Sequence, residues 1–241
     1  MQPDMNRRWA LWSALLLTLS VSHVTFAKSP NETHERLQRS IDVLRDLTSA
    51  PDDAIPEFVL KRAEAIVVVP SLIKGGFIVG AEHGNGVMSV RDRDTNTWSS
   101  PAFVSLSGGS FGAQIGVQSV DLVLVVVSRD GIDELLKDKF TLGAHASVAA
   151  GPVGRSATAA TDVLLSAQIL AYSRTKGIFA GVTLDGSTLG PNRDGNEQFY
   201  GHRYDTKQIV TPEATAPRQR SAIVRQWQDT LTMLAGSRVS R

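Results

Sequence analysis

The chain has 241 residues, 42% of them hydrophobic and 20% charged, enough apolar content for a packed core and too much for a disordered chain. Its 25 Lys and Arg against 24 Asp and Glu leave it nearly neutral, which argues against a basic body that binds nucleic acid. The lack of any cysteine excludes disulfide scaffolds, thiolate zinc sites, thiol catalysis and lipid attachment through cysteine, and the length suits one domain with at most a short appendage.

Arg7 and Arg8 precede an apolar run from Trp9 to Leu19, which exits through small and polar residues to Ala27. A basic start, a short apolar stretch and a small-residue exit are the layout of a secretory signal. Residues 1–27 are therefore read as a signal peptide, and the mature chain as exported, periplasmic and soluble or peripherally membrane-associated. The run is shorter than the roughly 20 residues of a spanning helix, although retention as an anchor is the alternative.

Leu37, Ile41, Leu44 and Leu47 fall at helical spacing and predict a first helix from Glu32 to Leu47. Pro56 suits the first turn of a second helix ending near Ala63, with Lys61 and Arg62 in its last turn. Beyond Ala65 the texture becomes β-like, and 17 of the 20 glycines lie between Gly75 and Gly190. Ile66–Val69 reads as a strand ended by Pro70. Phe77–His83 and Val87–Arg91 read as two strands around a hairpin at Gly84-Asn85-Gly86, since Asn-Gly tolerates positive φ. Asp92–Asn96 predicts a turn, and Ala102–Leu106 and Ala113–Val120 predict further strands. The unbroken Leu122–Val127 run predicts a strand covered on both faces.

A helix capped by Asp130 carries Ile132, Leu135 and Leu136 inward. Strands resume around Thr141–Ala149, Val163–Arg174 and Ile178–Leu184, with a turn at Asp185-Gly186. Such dense glycine predicts bulges or strong curvature. Pro191–Pro217 reads as loop, with Phe199-Tyr200 packing back onto the body. Ile223, Val224, Trp227, Leu231 and Leu234 define a last amphipathic helix. Residues 214–241 carry Arg218, Arg220, Arg225, Arg238 and Arg241 against Asp229 alone. Basic residues beside a Trp on an apolar face are what an interfacial helix displays, whereas a docked helix with a solvated arginine face is the alternative.

Several segments together resemble the SYLF-domain family. They are Ile55-Pro56, Ile66-Val67-Val68-Val69-Pro70, Lys74-Gly75-Gly76-Phe77, Gly84-Asn85-Gly86-Val87 and Trp98-Ser99-Ser100-Pro101-Ala102-Phe103. They continue through Gly109-Ser110-Phe111-Gly112-Ala113-Gln114-Ile115-Gly116, Asp121-Leu122-Val123-Leu124, Ala159-Ala160-Thr161-Asp162, Tyr172-Ser173-Arg174 and Gly177-Ile178-Phe179-Ala180-Gly181. The resemblance covers roughly residues 35–201 in one order. It implies a non-enzymatic lipid-binding module, with eukaryotic relatives linked to phosphoinositides, membrane remodelling and actin, and exported bacterial relatives that look like envelope proteins. It also attributes membrane binding to an amino-terminal helix. Here that helix balances Arg36, Arg39 and Arg45 with Glu35, Asp42 and Asp46, unlike a basic interfacial helix.

Sharper chemistries are weighed against this. Gly108-Gly109-Ser110-Phe111-Gly112 matches a nucleophile elbow, but the residues after Ser110 alternate like a strand, where the elbow needs a helix. Ser71-x-x-Lys74 lacks the companion motifs of penicillin-binding chemistry and runs into Gly75-Gly76. Asp92, Asp94 and Asn96 open like a calcium loop without its glycine or closing glutamate, and Asn192, Asp194 and Asn196 fit no better. No glycine stretch continues into a phosphate-binding lysine motif.

The expected fold is thus α+β: a strongly curved, mostly antiparallel β-sheet, bent or partly closed, with N-terminal, internal and C-terminal helices. Residues 28–201 form the resembling domain and 202–241 a loop and basic amphipathic helix. The expected function is binding of phospholipid or another amphiphile in a bacterial cell envelope, with no cofactor and no metal. The candidate lipid contacts are Lys61, Arg62, Lys74, Arg218, Arg220, Arg225 and Trp227, and the structural glycines are Gly109, Gly112 and Gly116. A structural or stress-related envelope protein acting through a protein partner is the alternative, and a serine hydrolase using Ser110 a distant third.

Overall fold

The computed structural model describes residues 31–49, 54–76, 79–111, 116–153, 166–175, 178–179, 184–211 and 221–236. The proposed signal segment, 1–27, lies outside them, as do Gly112, Arg218 and Arg220. Helix α1 (Glu32–Ser49) and the short α2 (Glu57–Lys61) lead into four long strands, β1 (Ala65–Gly76), β2 (Val79–Val90), β3 (Ala102–Phe111) and β4 (Gly116–Val126). Then come α3 (Arg129–Leu135), β5 (Phe140–Thr141), β6 (Val148–Ala150), β7 (Ile169–Thr175), β8 (Ile178–Phe179) and β9 (Thr188–Pro191). Helices α4 (Arg193–Tyr200), α5 (Thr206–Val210) and α6 (Ala222–Ala235) close the described chain.

The strands form one sheet in the order β5-β9-β3-β2-β1-β4-β7-β6, with β8 on β7. All its pairings are antiparallel except β6 with β7, and the sheet curls into a half-barrel. The α+β fold with a curved antiparallel sheet is therefore the one expected. Alternation along the strands feeds two cores. Ile66, Val68, Val87, Phe103, Val123, Val125 and Tyr172 face outward and are covered by Leu37, Ile41 and Leu44 of α1, Val59 of α2 and Trp227 of α6. Ala65, Val67, Val69, Leu72, Leu106, Leu122 and Leu124 face the concave side, with Ile132, Phe140, Tyr200 and Ile209. Leu122 to Val126 is buried throughout because its side chains alternate between these cores, as the unbroken apolar run required.

Two turns differ from expectation, and both differences make the curl. The strand does not end at Pro70. It continues to Gly76 through an irregularity between Val69 and Leu72, where Ser71 adopts φ 55° and its N–H donates to Asp121 Oδ1 at 2.9 Å. A bulge tolerates a proline, which has no N–H to give the ladder. Gly84-Asn85-Gly86 is not a hairpin. It lies inside β2, and the β1–β2 connection falls beyond Gly76, which pairs with Gly80. A Cβ at Gly84 would stand 2.7 Å from Val69 Cγ1, and one at Gly86 would collide with the Val68 carbonyl oxygen. These glycines serve close approach of β2 to the bulged strand rather than positive φ.

Other corrections are local. Ser128, not Asp130, caps α3, its Oγ accepting from the Gly131 N–H at 3.1 Å. The stretch read as loop after Pro191 holds α4 and α5. Asn192 Oδ1 accepts from Gly195 N–H, and Gln208 Oε1 accepts from the Asp205 N–H, a reciprocal capping arrangement present in the sequence. Tyr200 does pack back, its hydroxyl donating to the Pro101 carbonyl at 2.6 Å, and burial pushes its phenol pKa above the ordinary range. The Thr141–Ala149 strand is instead the two short strands β5 and β6, and β7 begins at Ile169. Among the described residues after Tyr200, Ile209 and Val210 enter the concave core and Trp227 and Leu231 the outer one.

Gly86→Ala should cost about 3 kcal/mol of unfolding free energy, the upper range for overpacking, in urea titration. Gly109→Ala should stay within about 1 kcal/mol of the parent, because a Cβ there meets nothing nearer than the Gly80 oxygen at 3.9 Å.

Candidate binding surface

The helices α1, α2 and α6 cover the outer face of the sheet only over part of its length. Beyond them, β3, β2, β1 and β4 continue, and their register lines up two rows of outward residues. Ser107, His83, Ile73 and Ser119 make one row, and Gly109, Ala81, Gly75 and Val117 the other. The face is roughly 14 Å across at ordinary strand spacing. No Asp, Glu, Lys or Arg stands in either row. Ile73 is 46% exposed and Val117 76%, while glycine and alanine keep the surface between them flat.

Two charged residues of these strands, Lys74 and Glu82, point the other way, and a third, Asp121, lies beyond both rows, where it accepts from the Ser71 N–H. Lys74 pairs with Glu82 on the concave side, Nζ to Oε2 at 2.7 Å, with side chains 15% and 1% exposed. The Ser187 hydroxyl donates to Glu82 Oε1. Polarity at this end of the sheet is thus inverted, with an ion pair inside and uncharged groups facing solvent. Only the register reveals this, because each strand taken alone mixes both kinds of residue.

His83 Nδ1 and Ser107 Oγ lie 2.9 Å apart on the open face. A nucleophilic serine needs a base oriented by a third group and donors for an oxyanion. The two rows supply no carboxylate, so the pair is read as a hydrogen bond linking β2 and β3. Ser110 also lies within β3, paired with Gly80 in an antiparallel ladder, which is not the strand-to-helix turn of a nucleophile elbow.

The residues singled out from the sequence scatter. Lys74 is bound to Glu82, and Lys61 pairs with Glu57 at 2.6 Å on α2. Arg62 and Arg225 are exposed, on α2's end and α6 respectively. Trp227 corrects the interfacial-helix expectation. It is fully buried, and its indole N–H donates to Ser89 Oγ at 2.8 Å, so it docks α6 on the sheet. Replacing a Trp at such a site by a small residue costs about 3–5 kcal/mol, which leaves little freedom for α6 to enter a membrane. Gly116 has φ 132° at the start of β4, whereas Gly109 has open space above it. Sequence reasoning missed Ile73, Ala81, His83, Ser107 and Val117, whose common face depends on a hairpin it placed elsewhere.

A concavity of about 760 Å³ lies between the β2–β3 turn and α3, α5 and α6. Its rim carries both signs, with Arg129 and Lys207 near Asp133 and Asp229. Two of its arginines hold the fold together. Arg91 donates to the carbonyls of Lys61 at 3.2 Å and Gly236 at 2.6 Å, the C-terminal ends of α2 and α6, and Arg93 makes a two-nitrogen contact with Glu64.

An open, uncharged sheet face beside helices locked to the body defines a binding domain more readily than a catalytic cleft. The model of the Ysc84 family, described as Las17-binding protein actin regulator, matches residues 107–230. The chain belongs to this family, the SYLF-domain family of the sequence resemblance, whose members are non-enzymatic binding and regulatory domains. It is 32% identical over 204 residues to Protein YSC84 of Saccharomyces cerevisiae, covering 81% of this chain and 43% of that one. It is 36% identical over 169 residues to LAS seventeen-binding protein 3 of the same yeast, covering 69% and 36%. Human SH3 domain-containing YSC84-like protein 1 is 30% identical over 196 residues, covering 79% and 57%. The chain therefore spans about half the length, or less, of these curated relatives. The family match runs through residue 230, in keeping with α6 belonging to the domain body.

Lys74→Met should lower the unfolding free energy by about 3 kcal/mol in urea titration, because it leaves the Glu82 carboxylate buried without its counter-charge. Adding Glu82→Gln should recover most of that loss.

Proposed function

We propose that this chain is a non-enzymatic binding module that takes phospholipid or another amphiphile on the open face of β3, β2, β1 and β4. The observation that carries the reading is the pair Ile73 and Val117, exposed side chains in an eight-residue face without a formal charge. Apolar area removed from water contributes roughly 25 cal/mol per Å², and a flat β surface offers it without reordering the backbone. The concave ion pair keeps Lys74 and Glu82 away from that contact.

The proposal puts the interaction on the sheet and not on the basic carboxyl-terminal segment. Binding should therefore depend on apolar contact more than on salt. Co-sedimentation with phosphatidylcholine and phosphatidylglycerol vesicles tests it. The parent chain is expected to pellet with both and to keep at least half its binding in 0.5 M NaCl (about 3 Å screening length at 1 M). The double variant Ile73→Glu, Val117→Glu should lose binding while keeping its circular dichroism and urea midpoint. A folded double variant that binds like the parent would reject the sheet face.

A protein partner is the second reading, favoured because yeast relatives carry the name LAS seventeen-binding protein 3. It takes over when no vesicle of either composition binds the parent chain. Envelope residence belongs to the same proposal and rests on the Arg7–Ala27 pattern. Intact-mass measurement on secreted material should find a chain beginning at or near Lys28, and a retained Met1 on membrane-bound protein would replace this with an anchored form.

A further inference from the structure

The open face ends at β4, and that edge has a property of its own. Strand β7 pairs with β4 from Asp121 to Val126, and Gly116–Val120 pairs only with β1 among the described residues. Gly116, Val117, Gln118 and Ser119 are all exposed. An open edge offers unpaired N–H and C=O groups to any other strand, and proteins blunt such edges with lysine, proline, inward charges or a covering element. Gly116-Val117-Gln118-Ser119-Val120 has no charge and no proline.

We infer that this edge pairs with the same edge of a second copy, two β4 strands joining antiparallel about a two-fold axis near Gln118. Self-pairing suits the segment because antiparallel symmetry sets each residue against a known mate. Gln118 meets Gln118 of the other copy, and a primary amide is both donor and acceptor, so the two side chains can satisfy each other. Val117 meets the small Ser119 of the other copy. No like charges face one another, whereas directly opposed like charges would destabilise the pair.

The symmetry also has a geometric consequence. A two-fold axis perpendicular to the sheet keeps the same face upward in both copies, so the row Ser107, His83, Ile73, Ser119 continues into Val117 of the second copy. The dimer carries one uncharged face across eight strands. This doubles the surface assigned to amphiphile above, but pairing itself uses only backbone and Gln118, and is tested without lipid.

Because the chain has no cysteine, one introduced thiol is unique. Opposed residues in an antiparallel pair have Cα atoms about 4.5–5.5 Å apart, within disulfide range. Gln118→Cys in the full chain should oxidise to a covalent dimer under copper-phenanthroline, whereas Ser107→Cys, on the opposite face and three strands from that edge, should stay monomeric. Gln118→Lys should weaken the dimer roughly five- to tenfold by analytical ultracentrifugation, through like-charge opposition. An equal mixture of Gln118→Lys and Gln118→Glu chains should restore it. Pairing is overturned by a parent chain that sediments as a monomer at 100 µM (an amount on the order of a weak dimer's Kd), or by Gln118→Cys that forms no more dimer than Ser107→Cys. Loss of vesicle binding with the dimer intact would instead reject the amphiphile reading alone.

Discussion

Strand β2 can follow β1 around the bend at Pro70-Ser71 only because its concave side lacks side chains at Gly84 and Gly86. With any Cβ there, β2 would have to lift off Val69 and the Val68 carbonyl, and the ladder between the two strands would open. A flat sheet would be the alternative, and it could not wrap Leu72, Leu106 and Leu122 into one concave core. The Ser71 N–H, displaced from the ladder by the irregularity, is satisfied by Asp121 on β4.

Once the sheet curls, the two faces have different fates. The concave side closes on α3, β5, α4 and α5. The outer side is covered by helices anchored at a few strong points. Trp227 fixes α6 to Ser89, Arg36 of α1, held within its helix by Glu32 at 2.6 Å, lies over the Phe103 ring, and Arg91 gathers the carbonyl ends of α2 and α6. A guanidinium at two helix C-termini is favoured by the orphan carbonyls and their dipoles. These anchors hold the helices over one part of the sheet and leave the remainder uncovered. The open face is a by-product of where the helices are tied down.

The inverted polarity there follows from the same curl. On the concave side, Lys74 and Glu82 are close enough to neutralise one another, and Glu82 also accepts from the Ser187 hydroxyl. Such a pair contributes little net stability, yet removing one partner is expensive. Its effect is to keep charge off the outer surface of strands that would otherwise carry it. Membership of a family of binding and regulatory domains agrees with a surface of this kind, built for contact and without a preorganised reaction centre.

Much of this architecture is legible in the sequence because it depends on local periodicity. Leu37, Ile41, Leu44 and Leu47 announce α1, Leu122–Val126 announces a strand with two buried faces, and glycine among β-branched residues announces curvature. The family is legible too, from motifs spread along the chain in order. What only the tertiary structure decided is where the chain turns and what lies opposite what. Asn85-Gly86 has the chemistry of a hairpin, but glycine serves close approach as well as positive φ, and a local window cannot tell those uses apart. Moving that turn to the segment after Gly76 changes every cross-strand neighbour of β2, and so brings Ile73, His83, Ser107 and Ser119 into one row. Trp227 gives the same lesson on a helix: its apolar stripe fits a membrane or a core equally well, and the choice belongs to Ser89, a residue 138 positions away that hydrogen-bonds its indole. Periodicity is written in neighbouring residues, whereas register and docking depend on contacts between distant ones.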